Sequence, residues 1–200
     1  WLSSVSVKFM QQAQVCMPPY SYMSNTHCAL GWHLTKEKDD TIVGHFGSSA
    51  GQKSMLQLVP EHGLAIAALH NSTSTGLLPQ LLNELLAELI NIKLPEISSK
   101  PQLEKSLNLK PLLGRYEGIQ SCFIVSMNKG ELVVIHIPSK QSPKTTERWR
   151  LKPIDDYAFL TYKEASESGQ VVSFIDLDPS GEPSYLYCMG RLMPKIKHGC

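Results

Sequence analysis

The sequence predicts an α+β chain: an antiparallel sheet covered by a C-terminal helix, followed by a small all-β meander or barrel. Three observations carry this expectation. Residues 29–71 hold short apolar runs broken by turn residues, the signature of strands. A leucine stripe at helical spacing follows in STSTGLLPQLLNELLAELINIKL. Beyond residue 110 seven further apolar runs alternate with turn signals, and no second helical pattern interrupts them.

Taken in order, WLSSVSVKFMQQAQ reads as a helix already under way, with no initiator Met and no leader-like pattern. The chain is therefore expected to be the C-terminal part of a longer protein. ALGWHLT, TIVGHF, SMLQLVP and LAIAALHN are strand-length runs ended by Gly, Pro or Asn, and their short connections make successive ones antiparallel neighbours. Pro60 to Gly63 forms the turn between the last two, with Pro fixing its opening and Gly supplying permissive backbone. In the helix, Leu78, Leu81, Leu82, Leu85, Leu86, Leu89 and Ile90 share one face, read as a packing surface against the sheet. Ser74 or Thr75 is expected to cap it, and Pro79 is tolerated in its first turn.

Residues 95–110, with Pro95, Pro101, Ser98-Ser99 and alternating charges, read as a linker. After it come LGRYEGI, CFIVSM, ELVVIHI, RWRLKPI, YAFLTY, VVSFIDL and SYLYCMG. Their spacing suggests an antiparallel meander closing into a small barrel or sandwich. No internal repeat supports a propeller. The expected organisation is a first domain over 1–94, a linker over 95–110 and a β-rich domain over 111–200.

Composition narrows the function classes. A chain 42% hydrophobic and 18% charged, with formal net charge +1, is ordinary for a soluble globular protein and carries no broad electrostatic signal for nucleic acid. No apolar run approaches the roughly 18 residues of a membrane span. Five cysteines (Cys16, Cys28, Cys122, Cys188, Cys200) show no CxxC pair, which favours reduced thiols and leans towards a cytoplasmic location. Seven histidines (His27, His33, His45, His62, His70, His136, His198) form neither HxxxH nor HxH, so no metal is expected, and no cofactor motif is present. The basic segment from Lys140 to Arg150 reads as a solvated loop leading into a strand with one buried aromatic, Trp149. Tyr116, Tyr157, Tyr162, Tyr185 and Tyr187 read as packing residues.

GHFGSSAG, residues 44–51, calls for more than a turn, because a bend needs Gly but needs neither His45 nor two consecutive serines. Its context is specific. ALGWHL, then GHFGSSAG, then MLQLVPEHGLAIAALHN, in this order and spacing, resembles the C-terminal portion of serine β-lactamase and penicillin-binding-protein-like hydrolases, in the class C and esterase branch. The resemblance spans residues 29–94. It implies a partial β-lactamase/transpeptidase-like domain in which a Lys-Thr-Gly or His-x-Gly strand walls the active site. Carried over by position, His45, Phe46 and Gly47 occupy that third motif. His45 would set a polar group beside the nucleophile, and Gly47 would permit close backbone approach. The backbone N–H of Ser48 would be one oxyanion-hole donor, with Phe46, Ser49 and Asn71 as substrate-contacting positions.

Two departures from the family pattern shape the expected chemistry. His45 is only partly charged near neutrality, since a free imidazole titrates near pH 6.5. Phe46 stands where a hydroxyl would help hold a substrate carboxylate. Both favour an esterase, amidase or acyltransferase on less anionic substrates over a β-lactamase. The family's Ser-x-x-Lys nucleophile is represented only by Ser126-Met127-Asn128-Lys129, which straddles a strand end and a hairpin turn and is read as chance. No Tyr-x-Asn follows. The nucleophile and base are expected in a missing N-terminal part of the same domain, and this chain alone is expected to be inactive.

LGRYEG and NKGELVV are similar to the lipocalin-like β domains appended to such hydrolases. The resemblance implies a small-molecule ester or amide substrate and leaves homo-oligomerisation open. The competing expectation is a non-catalytic binding or scaffolding module that keeps the fold.

Overall fold

The computed structural model describes residues 1–18, 26–49, 51–72, 74, 76–94, 108–119, 121–139, 145–162 and 170–196. These fall into two units, one holding residues 1–17 and 26–94, the other holding Pro18 and the described residues from 108 to 196.

The first unit opens with α1 (Ser4–Met10), capped by Ser3, whose Oγ accepts the Ser6 N–H at 3.1 Å. The helix thus starts at Ser4 and is not already under way at Trp1. It buries none of its residues. Six antiparallel strands follow in sequence order: β1 (Val15–Cys16), β2 (His27–Cys28), β3 (His33–Glu37), β4 (Asp40–Ser49), β5 (Gln52–Val59) and β6 (Leu64–His70). The two-residue β1 and β2 were not legible in the sequence. ALGWHLT is strand only from His33, because the Ala29 N–H closes a turn onto the Trp32 carbonyl at 2.8 Å with Gly31 at φ +81. Between β5 and β6, Pro60–His62 form a 3₁₀ turn that Gly63 ends at φ +61. Of GHFGSSAG, Gly44 to Ser49 belong to β4, which ends at Ser49.

Beyond β6, α2 (Leu77–Ile90) begins at Gly76 without a side-chain cap. Ser74 does not cap it; its N–H is taken by Ser72 Oγ at 3.1 Å, and Thr75 lies outside the described residues. Asn91, at φ +56, ends the helix in the left-handed conformation that Asn tolerates. Leu78, Leu82 and Leu86 are buried in one cluster with Ile42, Met55, Val59 and Ile66. Each such leucine, fully buried, contributes about 1.5–3 kcal/mol. Leu89, counted in the sequence stripe, is 58% exposed.

In the second unit a 3₁₀ turn at Lys110–Leu112 leads into eight antiparallel strands, again in sequence order. They are β7 (Gly114–Glu117), β8 (Ser121–Asn128), β9 (Glu131–Pro138), β10 (Glu147–Asp155), β11 (Ala158–Tyr162), β12 (Val171–Leu177), β13 (Pro183–Cys188) and β14 (Arg191–Pro194). The last, RLMP, was not expected. It brings the meander back on itself. Tyr116 and Lys195 form an antiparallel bridge, and the Ile196 N–H donates to the Arg115 carbonyl at 2.8 Å, so the sheet is nearly a barrel. Lys195 fastens this seam, its Nζ donating to the Pro111 carbonyl at 2.6 Å and pairing with Glu182 at 3.1 Å. The interior is aromatic and apolar, with Tyr116, Phe123, Trp149, Phe159 and Phe174 in one cluster.

The expected α+β class, with a sheet covered by a C-terminal helix, is overturned. The chain is mainly β, in two antiparallel sheets, with two α-helices among the described residues and none at the chain's C-terminal end covering a sheet. The leucine period is real, but it belongs to one 14-residue helix in a chain with fourteen strands among its described residues. Of the expected linker, residues 95–107 lie outside the described residues.

Candidate functional site

The first sheet sets the geometry around GHFGSSAG through its register. β4 pairs with β5 along its length, placing His45 opposite Leu56, Gly47 opposite Ser54, Ser48 opposite Lys53 and Ser49 opposite Gln52. On its other side β4 pairs with β3 only as far as Gly44, opposite His33. Successive residues of an antiparallel strand send their N–H and C=O to opposite edges. With Ser49 closing the two-residue connection to Gln52, the groups of Ser49, Gly47 and His45 face β5. Those of Phe46 and Ser48 face the other edge, where no strand among the described residues pairs with them.

Side chains alternate across the same strand. His45 is exposed and stacks on His33, with ring centroids 5.2 Å apart. Phe46 is half-buried and packs against the Ile42–Met55 cluster beneath α2. Gly47 faces Ser54, whose Oγ occupies the space a Cβ would take. The hydroxyl of Ser48 accepts a hydrogen bond from Lys53 Nζ at 2.7 Å. Ser49 is exposed, and Asn71 lies just past the end of β6.

Gly47, Ser48, Ser49 and Asn71 share a solvent-open depression of about 610 Å³ at this end of the sheet, completed by Gln52, Lys53, Ser54, Leu69 and His70. His45 and Phe46 do not line it. Lys53 and His70 escaped the sequence reading. Register puts them in one row, Ser48 opposite Lys53 and Lys53 opposite His70. Counting outward from the Ser49–Gln52 pair finds the first of these. Ser72 donates its N–H to His70 Nδ1 at 3.1 Å, while His70 Nε2 is buried without a hydrogen-bond partner among the described residues.

Elsewhere, Ser126 lies on β8 with its hydroxyl turned to the Val133 carbonyl at 3.5 Å. Lys129 and Gly130, at φ +51 and +86, make the tight turn to β9, so this Ser-x-x-Lys cannot assemble as a helix-borne pair. Arg150, in the basic segment, is held by Glu131 and lies over the Tyr162 ring at 5.3 Å. Residues 140–144 lie outside the described residues. The four described cysteines are free thiols, and burial pushes Cys188 up to about 12. No helix among the described residues is long and apolar enough to cross a membrane.

No family model matches the chain. Over 118 residues, 58% of its length, it is 36% identical to penicillin-binding protein 4 of Amycolatopsis lactamdurans, of which those residues cover 31%. Two crystal structures of SurE, one with D-Leu, superpose on 98% of the chain with TM-scores of 0.70 at 21% and 22% identity, a likeness of fold. The chain spans about a third of that curated relative and 44% and 43% of the two SurE chains, and in sequence it is similar to a penicillin-binding protein over more than half its length.

Proposed function

We propose that this chain supplies the third-motif wall of a serine hydrolase or acyltransferase related to the penicillin-binding proteins. In this reading residues 1–94 are the C-terminal portion of the catalytic domain, 95–110 a linker and 111–200 an appended β domain. The observation that carries the reading is the edge of β4 beyond Gly44, unpaired among the described residues, at which the N–H groups of Phe46 and Ser48 are directed. Backbone donors fixed in a strand need no reorganisation when charge develops on an acyl oxygen, and one such donor is worth about 2.7–4 kcal/mol in the transition state. Ser48 N–H is that donor; its partner is the N–H of a nucleophile supplied by a preceding segment. His45, exposed beside the edge and braced by His33, is the polar group that moves or orients a proton near the nucleophile. Gly47 keeps the approach clear, and Phe46, Ser49 and Asn71 border the acyl group.

The substrate class is an ester or amide. Because the fold neighbour SurE was crystallised with D-Leu, esters of short acylated D-amino acids are the first to assay. In the protein carrying the upstream segment, Ser48→Pro should lower kcat by about 10²–10³ while Ser48→Ala, which keeps the donor, is tolerated. His45→Ala should lower kcat, and His45→Lys should retain turnover with a flatter pH profile near neutrality. Full turnover in a folded Ser48→Pro protein would remove the oxyanion role; no turnover in the folded parent protein would leave the binding or scaffolding reading.

A further inference from the structure

We propose that the depression across the ends of β4, β5 and β6 is an anion-binding site centred on Lys53 and His70, accepting a carboxylate or phosphate group. Register builds it. Ser48, Lys53 and His70 stand opposite one another on three successive strands and so share one face of the sheet. The lining holds an ammonium, an imidazole, hydroxyls and amides and, among the described residues, no carboxylate. Among the described residues Lys53 has Ser48 Oγ as its hydrogen-bond partner and no acidic partner.

His70 makes the case specific. Its Nδ1 accepts from the Ser72 N–H, so the ring proton sits on Nε2 in the neutral form, and the charged form also carries one there. In either state Nε2–H is a donor, buried with no acceptor among the described residues. A buried donor without an acceptor costs about 1–3 kcal/mol, which a ligand oxygen would recover. Register thus brings a cation and an orphan donor to one face on neighbouring strands, with no acceptor for the donor among the described residues. One anionic group bridging Lys53 Nζ and His70 Nε2 supplies it, through charge-assisted bonds stronger than neutral ones. The inference concerns side chains on the sheet face, and it stands whether or not the β4 edge serves acyl transfer.

The test is binding, read without turnover. The 200-residue chain is titrated with N-acetylglycinate, N-acetylglycinamide and inorganic phosphate, following the Lys53 ammonium and His70 imidazole signals in ¹H–¹⁵N spectra. N-acetylglycinate should shift both signals saturably, and the matched amide neither. Lys53→Met should weaken binding about tenfold or more, and Lys53→Arg should retain it. His70→Gln, which keeps an N–H donor, should bind better than His70→Phe. Tighter binding of the carboxylate would identify an organic acid, and tighter binding of phosphate a phosphoryl group. The proposal is overturned if the amide shifts the signals as much as the acid, or if a folded Lys53→Met chain binds unchanged. Loss of anion binding in Lys53→Met with turnover of the protein carrying the upstream segment unchanged in His45→Ala would fail the acyl-transfer reading and leave this one standing.

Discussion

Gly44 and Gly47 sit three residues apart on β4, yet alanine should affect them differently. At Gly44 an added Cβ would lie 2.6 Å from the Leu56 carbonyl oxygen and nearer still to the Gln57 side chain. Leu56 belongs to β5, which is laddered to β4 on one side and β6 on the other, so that oxygen cannot retreat. At Gly47 the obstacle is the Ser54 hydroxyl, which turns away by one rotation. Overpacking of this kind costs about 1–3 kcal/mol, against about 0.4–1 kcal/mol returned by the stiffer unfolded chain. Gly44→Ala should thus lose about 1–2 kcal/mol, and Gly47→Ala should change stability by less than about 0.5 kcal/mol. With a urea slope near 2 kcal/mol/M, the Gly44→Ala midpoint should fall by about 0.5–1 M. Adding Gln57→Ala should restore only part of the loss, because the backbone oxygen remains. Equal midpoints for the two glycine variants, or full rescue by Gln57→Ala, would refute the backbone-clash reasoning.

Two further expectations concern the second unit. Lys195→Met removes the bond to the Pro111 carbonyl and the pairing with Glu182 from a side chain only 9% exposed, and should cost about 1–3 kcal/mol; hydrogen exchange at the Ile196 amide should accelerate, and unchanged protection would show that the seam does not depend on Lys195. Burial raises both the Cys188 thiol, from 9.0 to about 12, and the Tyr116 phenol, so the unfolded chain ionises first. The stability they contribute is complete below pH 9 and lost as pH rises towards 12. Urea midpoints should therefore fall over that range, less steeply in Cys188→Ala; a pH-independent midpoint would contradict the burial argument.

How much of this was legible in the sequence depended on whether the signal was local. Turn chemistry was: Pro60 to Gly63 and Asn128 to Gly130 punctuate the chain where φ must be positive. Residues whose role comes from a partner far away were not. Val15–Cys16 and His27–Cys28 are too short to show a period, and they are strands only because each ladders onto the next. RLMP is a strand because β13 pairs with it. The absence of a side-chain cap at Gly76 was not legible either, since the expected cap Ser74 instead donates its N–H to Ser72 Oγ. The octapeptide advertised His45 and Gly47 by composition. Lys53 and His70 became candidates only through cross-strand alignment, since neither has an unusual neighbour in sequence.

The seam held by Lys195 also orders events in time. Its ammonium reaches a carbonyl 84 residues earlier in the chain, whereas the meander strands it fastens are mostly joined by short hairpins. Hairpins zip as they are made; closure of a ring waits for its two ends, and the entropy of that last loop is lost in one step. A ribosome making this chain from the amino end would expose β7 with one edge bare until β14 had emerged. During that interval the nascent sheet presents an unpaired edge to every other chain nearby. The cationic clasp just past the final strand thus marks the end of a vulnerable period in synthesis as well as the strength of a finished joint.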